Sequence, residues 1–144
     1  AEAERHRAIT AAVHAEGGSI ALQLLHAGRY AHHADALAPS ALKSPVSPRT
    51  PRAMTEDDIE RTLDDYAAAA ARAEGAGYDG VEIMGSEGYL IHQFLSERAN
   101  ARSDGWGGPL ENRMRFAVEA VRRTRRRVAD RFLVVYRLSM LDLV

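Results

Sequence analysis

Helix-like and strand-like segments alternate along this chain, and the alternation constrains its fold more than any other feature. The helical segments cover 2–15 and begin again after Thr55 and at Pro109. The strand-like segments cover 19–25, 80–84 and 132–139. This order builds a parallel sheet with right-handed crossovers. The sequence therefore predicts an α/β fold with about three parallel strands and their helices.

Local signals mark the ends of these segments. Gly17 and Gly18 provide a glycine stop after the first helix. Thr55 is a suitable N-cap for the second helix, and Asp58 occupies the capping-box position three residues later. Pro109 suits the N1 position of the third helix. The first strand is apolar on both faces, which is typical of a strand that is covered on both sides.

The long connections all follow strands. They cover 26–54 and 85–108, whereas the connection before the second strand, 75–79, is short. Functional groups of barrels and of open α/β folds gather at the carboxyl ends of the strands. We therefore expect the functional site at that edge of the sheet.

Composition excludes several classes of function. The chain is 46% hydrophobic with a formal net charge of -1, which is typical of one globular domain and gives no support to a nucleic-acid partner. It has no cysteine, so cysteine-ligated metals and disulfides are excluded within it. It has no long apolar run, and no basic-plus-apolar leader follows Ala1. We expect a cytoplasmic protein without a membrane partner.

Three strand residues are polar where apolar residues would be less costly to bury: Gln23, Glu82 and Arg137. A buried unpaired charge is strongly destabilising, so these side chains should pair with one another or with a ligand. We predict that Glu82 and Arg137 point to the same interior and lie within salt-bridge reach. An internal structural network is the alternative interpretation.

Tyr89 lies just beyond the second strand, where a phenol can donate a proton without carrying a charge beforehand. The alternative is an amphipathic residue at the rim of the fold. Glu87 is a rival proton donor, provided that burial raises the pKa of its carboxyl group.

Two further groups of residues suggest no metal or nucleic-acid site, although His26 directly follows a strand, which leaves a role near a ligand open. The spacing of His26, His32, His33 and His92 fits no usual metal-binding pattern, so we expect no metal. The basic run 122–127 has no interleaved aromatic residues, which favours a solvated helix face over a nucleic-acid surface.

Several separated motifs resemble the old yellow enzyme family, which consists of flavin (FMN) oxidoreductases on a (β/α)₈ barrel. The motifs cover nearly the whole chain in the family's order: 23–29, 80–83, 88–95, 102–108, 111–113 and 136–139. The resemblance implies a partial TIM barrel as the fold. Most members carry His-x-x-Asn or His-x-x-His where this chain has Met84 and Glu87. That departure, together with the segment 136–144, resembles the bacterial 2,4-dienoyl-CoA reductase branch.

The resemblance also implies roles for three side chains. Gln23 would hydrogen-bond the flavin ring, and Arg137 would face its N1/C2 carbonyl side. Tyr89 matches the proton donor of the family. The implied reaction uses NAD(P)H to reduce FMN, which then passes hydride to a carbon–carbon double bond conjugated to a thioester carbonyl.

Residues 1–144 are then expected to be an internal fragment of an FMN-binding TIM-barrel domain, approximately its third to fifth strands. The residues that hold the FMN phosphate, and the iron–sulfur and FAD groups of the dienoyl-CoA branch, would lie outside this chain. Two alternatives stay open: a related barrel enzyme of the amine dehydrogenase or NADH oxidase type, and a non-catalytic α/β module.

Overall fold

The computed structural model describes residues 2–140, and three long helices alternate there with the strands of a parallel sheet. The elements in chain order are α1 (Glu2–Ala15), β1 (Ala21–Leu24), a 3₁₀ turn (Gly28–Tyr30), β2 (Leu37–Ala38), β3 (Arg52–Ala53), α2 (Glu56–Gly75), β4 (Gly80–Gly85), α3 (Leu90–Leu95), α4 (Leu110–Arg127) and β5 (Leu133–Leu138). The α/β architecture expected from the sequence is confirmed; β1 and β5 are one or two residues shorter at each end than predicted, and β4 is one residue longer.

The main sheet has the strand order β1-β4-β5, and both strand pairs are parallel. Gln23 is paired with Glu82, and Glu82 is paired with Val135 on its other side. Arg137 is paired with Met84, two residues nearer to the carboxyl ends of the strands. Because side chains alternate between the faces of a strand, all five of these residues lie on the same face of the sheet.

Helices α2 and α4 pack on the opposite face and build the core there. Val81 and Ile83 of the central strand are 0% exposed, as are Leu63 of α2 and Phe116 of α4. Phe116 stacks on Phe94 of α3 with their ring centroids 4.3 Å apart. The helix-facing side of the sheet is therefore a closed hydrophobic core.

Within residues 2–140, no helix covers the face that carries Gln23, Glu82 and Arg137. Leu133 is 60% exposed and Val135 46% exposed on that face. The expectation that β1 is covered on both sides is therefore wrong for this chain, because the helices all pack on the same side. We call the helix-covered side the outer face and the open side the inner face.

The start of α2 confirms the capping prediction. The Thr55 side chain accepts a hydrogen bond from the Asp58 N–H at 3.2 Å, and the Asp58 carboxylate accepts one from the Thr55 N–H at 2.9 Å. Pro109 is the N-cap of α4 rather than its N1 residue, since its ψ of 152° is extended. The helix consequently begins one residue later than expected, at Leu110.

Two long connections contain structure that the sequence did not predict. Segment 85–108 contains helix α3, and segment 26–54 contains strands β2 and β3, which pair with each other in a separate parallel sheet. Both connections are anchored by Arg102, whose guanidinium donates to the backbone carbonyls of Pro39 and Met54. Among residues 2–140, no helix is both long and apolar enough to cross a membrane.

Candidate functional site

The polar residues of the inner face form one connected group near the carboxyl ends of the strands. Gln23 Nε2 donates to Glu82 Oε1 at 2.7 Å, and Arg137 Nη1 lies 3.6 Å from the same oxygen. These contacts confirm the prediction that Glu82 and Arg137 lie on one face of the sheet within ion-pair distance; that this face is the interior of a barrel stays a prediction. The three side chains lie close together because the parallel register pairs Gln23 with Glu82 and places Arg137 on the next strand, two residues nearer to the carboxyl ends.

Arg137 is paired but keeps donors free for a ligand. Its Nη2 lies 3.5 Å from Glu87 Oε1, and half of the side chain is exposed. A guanidinium has five N–H donors in a planar fork, so two carboxylate contacts leave others available. The inner face thus offers a cation and an amide donor to any group with carbonyl or ring-nitrogen acceptors.

Tyr89 lies beyond the end of β4, at the same edge of the sheet. It is the N-cap residue of α3, and its side chain is half-buried. The ring meets Tyr30 edge to face, with centroids 5.9 Å apart. The helix start fixes the Tyr89 backbone, and Tyr30 contacts its ring at this edge of the sheet.

Glu87, the rival donor, is held by Arg137 and Ser139 in this chain, and its role stays a prediction. Its side chain is 54% exposed in this chain and pairs with Arg137. Its φ of 59° lies in the left-handed region, and its N–H donates to Ser139 Oγ at 3.2 Å. The loop therefore turns the Glu87 carboxylate toward Arg137 and away from an apolar environment.

His26 lies just after β1 and His92 lies in α3, and each accepts a backbone hydrogen bond on Nδ1. His26 Nδ1 accepts from the Gly28 N–H at 3.0 Å, and His92 Nδ1 accepts from the Gly88 N–H at 2.9 Å. Burial lowers the pKa of His26, and the nearby His33 lowers it further. The lowered pKa favours the neutral imidazole, and a neutral ring that accepts on Nδ1 has Nε2 as its donor. Among residues 2–140, no group of three acidic, histidine or cysteine side chains is arranged to hold a metal ion.

Sequence reasoning missed Gln93, which is 1% exposed and makes three side-chain hydrogen bonds. Its carboxamide bonds three backbone groups in two different loops. Its position four residues after Tyr89 could have indicated a link between the two residues, because residues four apart are hydrogen-bonded in a helix. That inference requires helix α3, which was not predicted.

The basic run of α4 is only partly the solvated face that we expected. Arg123 bridges to α2, with Nη2 2.7 Å from Glu60 Oε2 and Nη1 2.9 Å from Asp64 Oδ1. Arg125 donates to the carbonyls of Val128 and Phe132 beyond the end of the helix. These arginines are structural because they tie α4 to its neighbours on the outer side.

Comparisons with known proteins agree with this geometry. Residues 1–144 match the model of the NADH:flavin oxidoreductase / NADH oxidase family. The chain is 44% identical over 137 residues to a metal reductase of Desulforamulus reducens, covering 92% of this chain and 20% of that protein. The comparison with the old yellow enzyme homologue from Zymomonas mobilis gives a TM-score of 0.87 at 35% identity, over 93% of this chain and 41% of that one.

A third comparison is with the complex of 2-naphthoyl-CoA reductase and 2-naphthoyl-CoA. The TM-score is 0.87 at 34% identity, over 92% of this chain and 23% of that one. The chain therefore spans between a fifth and about two fifths of these three proteins. The resemblance to old yellow enzymes and the partial TIM-barrel fold predicted from the sequence are confirmed.

Proposed function

Because this chain belongs to the NADH:flavin oxidoreductase / NADH oxidase family, we propose that it forms part of the active site of an FMN-dependent NAD(P)H oxidoreductase. The observation that carries the proposal is the polar group Gln23–Glu82–Arg137 on the inner face, with Tyr89 at the same edge of the sheet. A non-catalytic module would have no need of an exposed cation and amide at the carboxyl ends of its strands.

We infer that residues 1–144 are an internal sector of the barrel, approximately its third to fifth strands. The open inner face supports this, because Leu133 and Val135 have no partner layer among residues 2–140. Helix α4 supports it too, since Leu110, Met114 and Val118 expose an apolar stripe at helical spacing. In a barrel, further strands would cover the first surface and the next helix would cover the second. The isolated chain should then bind FMN weakly.

The donors on the inner face suit a flavin ring. Gln23 is exposed beside Glu82, and Arg137 has free N–H groups, so both can reach the carbonyl and nitrogen acceptors of such a ring. FMN, when bound, supplies hydride transfer. Arg137 would stabilise negative charge on the ring, and Glu82 would hold the Arg137 and Gln23 side chains in place.

Tyr89 would donate the proton of the reaction. Its O–H bond breaks as the proton passes to the substrate carbon that has gained electron density, and water then restores the phenol. Because the phenol is neutral before transfer, it needs no buried counter-charge. Tyr30 would hold the ring through the edge-to-face contact.

The substrate class that we propose is a thioester with a conjugated carbon–carbon double bond. Met84 and Glu87 stand where most old yellow enzymes carry a pair that holds the substrate carbonyl, so simple enones would lack that support. The likeness to 2-naphthoyl-CoA reductase supports a thioester substrate, because that complex contains an acyl-CoA. The dienoyl-CoA reductase branch, its iron–sulfur and FAD groups beyond this chain, and a cytoplasmic location are parts of the same proposal.

Tyr89→Phe in the complete protein tests the proposal. Reduction of the bound flavin by NAD(P)H should proceed at about the wild-type rate. Re-oxidation of the reduced flavin by an unsaturated acyl-CoA should be about 10²–10⁴-fold slower. Stopped-flow absorbance separates the two half-reactions. Tyr78→Phe is the matched control, since its hydroxyl contacts His6 on the outer side at 2.8 Å. If the reduced flavin is re-oxidised at equal rates in Tyr89→Phe and in wild type, Tyr89 is not the proton donor.

A further inference from the structure

The buried carboxamide of Gln93 joins the two loops that follow β1 and β4. Gln93 Oε1 accepts from the Arg29 N–H at 3.0 Å, and Nε2 donates to the Gly88 carbonyl at 2.6 Å and to the Ala27 carbonyl at 3.3 Å. The side chain is 1% exposed. Buried polar groups cost free energy unless they are satisfied, and this amide is satisfied entirely by loop backbone.

Glycines on both sides make room for these contacts. Gly28, with φ of 59°, packs so closely on the carboxamide that an added methyl group would overlap it. Gly88, with φ of 79°, leaves the same kind of space for the Tyr30 hydroxyl. Both glycines adopt left-handed conformations that favour glycine. The loops are therefore shaped around Gln93 and Tyr30.

Further contacts connect this arrangement directly to Tyr89. The Gln93 N–H donates to the Tyr89 carbonyl at 2.8 Å, and the Leu90 N–H donates to the His26 carbonyl at 3.0 Å. The Tyr89 ring packs on Tyr30, which lies in the loop that Gln93 holds. Tyr89 is thus fixed through its own backbone and through the residue that its ring contacts.

We propose that Gln93 is a positioning residue that sets the place of the Tyr89 phenol by locking the loop 26–30 to the start of α3. The proposal rests on the proposed role of Tyr89 as proton donor. The Gln93 carboxamide bonds the Gly88 carbonyl and the Arg29 N–H, so it acts through the backbone of Gly88 and through the loop that carries Tyr30. Its loss should impair proton donation more than the rest of the reaction.

A second buried amide offers a matched control. Asn100 Nδ2 donates to the carbonyls of Phe94 and Trp106, both at 2.8 Å, and the residue is 5% exposed. Asn100 therefore resembles Gln93 in burial and bonding, but it holds the 94–106 segment and not the loop 26–30. Replacing either amide removes a comparable number of buried hydrogen bonds.

The experiment uses Gln93→Met and Asn100→Leu in the complete protein. In Gln93→Met, re-oxidation of the reduced flavin by the unsaturated acyl-CoA should be about 10–10²-fold slower. Reduction of the flavin by NAD(P)H should stay near the wild-type rate, because a misplaced proton donor affects only the step that it serves. Asn100→Leu should leave the ratio of the two rates unchanged. Equal slowing of both half-reactions in Gln93→Met would overturn the proposal. If Gln93→Met does not fold, the same two rates are measured in Gln93→Asn and compared with those of wild type.

A double variant separates this inference from the proposal on which it rests. If Gln93 acts through Tyr89, adding Gln93→Met to Tyr89→Phe should slow the oxidation little further, because effects on one interaction are not additive. A multiplicative loss in the double variant would overturn the positioning role. Should Tyr89→Phe alone have no effect, the assignment of the donor fails instead.

Hydrogen exchange gives a readout that does not depend on turnover. The Arg29 amide donates to Gln93 Oε1, so it should exchange at least about tenfold faster in Gln93→Met than in wild type if the bond holds the loop. In Asn100→Leu its exchange should not change. Unaltered exchange of Arg29 in Gln93→Met would show that the carboxamide does not hold the loop, and the proposal would fall.

Discussion

The two faces of the same sheet differ in how complete they are. On the outer face, Val81 and Ile83 of β4 are fully buried beneath α2 and α4. On the inner face, Leu133 and Val135 of β5 are about half exposed, and Glu82 and Arg137 pair with each other rather than with a covering layer. Both faces belong to the same three strands, so strand propensity does not account for the difference.

The contrast indicates that the outer face stabilises the fold and that the inner face carries the residues for binding. Apolar burial on the outer face stabilises the arrangement of strands and helices, at roughly 25 cal/mol per Å² of apolar surface removed from water. The inner face carries the polar residues that would contact a cofactor. An inner face that is both apolar and charged suits the interior of a barrel, in which side chains of the strands form layers and a ligand binds at the carboxyl ends.

The largest effect that we expect belongs to the outer face. Phe116→Ala in the complete protein should lower the free energy of unfolding by about 3–5 kcal/mol, because it leaves a cavity among Phe94, Trp106 and Tyr66. Denaturant unfolding measures the loss. A change well below 1 kcal/mol would mean that the aromatic cluster is not a packed core.

A test on the inner face would sharpen the comparison. Leu133 is 60% exposed in this chain, which by itself predicts a nearly neutral substitution. If the inner face is covered by further strands, Leu133→Ala in the complete protein should instead cost about 2–4 kcal/mol, as for a core leucine. Denaturant unfolding of the complete protein distinguishes the two cases. A neutral result would contradict the barrel-sector proposal.

A smaller effect concerns the start of α2 and depends on pH. The Arg52 guanidinium, 2.7 Å away, and the Thr55 N–H lower the pKa of the Asp58 carboxyl group. A lowered pKa in the folded state stabilises the protein at pH values above the ordinary value near 4, and this stabilisation is lost as the pH falls through the folded-state pKa. Asp58→Asn should therefore lower Tm at pH 7 and have less effect at pH 3.

Asp57→Asn is the matched control, because Asp57 is exposed in the same first turn. Thermal unfolding of both variants at the two pH values measures the difference. The loss at pH 7 should be of the order of a helix cap, about 0.5–2 kcal/mol. An equal loss for Asp58→Asn at both pH values would contradict the assigned ion pair.

Local signals in the sequence predicted much of the fold. Thr55 and Asp58 are close in sequence, so their capping box is readable from the chain alone, and the alternating polar residues of the strands placed Glu82 and Arg137 together. Helix α3 escaped prediction because it has six residues, too few for periodicity to show. The contacts of Gln93 escaped for a related reason, since they join it to a loop more than 60 residues away in sequence.

The Pro109 prediction failed by one position. Proline suits both an N1 residue and an extended residue before a helix, and the sequence does not distinguish them. The structure gives Pro109 an extended ψ, so the helix starts at Leu110. The roles of Gln23, Arg137 and Tyr89 in binding and catalysis depend on groups outside the described residues, and they stay predictions. The branch motif 136–144 also extends beyond the described residues, at 141–144.

The central claim, that the inner face binds the flavin and the outer face does not, is tested most directly by two arginine variants of the complete protein. Arg137 lies on the inner face beside Glu82, and Arg123 ties α4 to α2 on the outer side. Measuring bound FMN and its reduction potential, we expect Arg137→Leu to retain less flavin or to have a lower potential, because negative charge on the ring loses its cation. Arg123→Leu should keep wild-type values for both. An Arg137→Leu protein that purifies with full flavin and an unchanged potential would contradict the account.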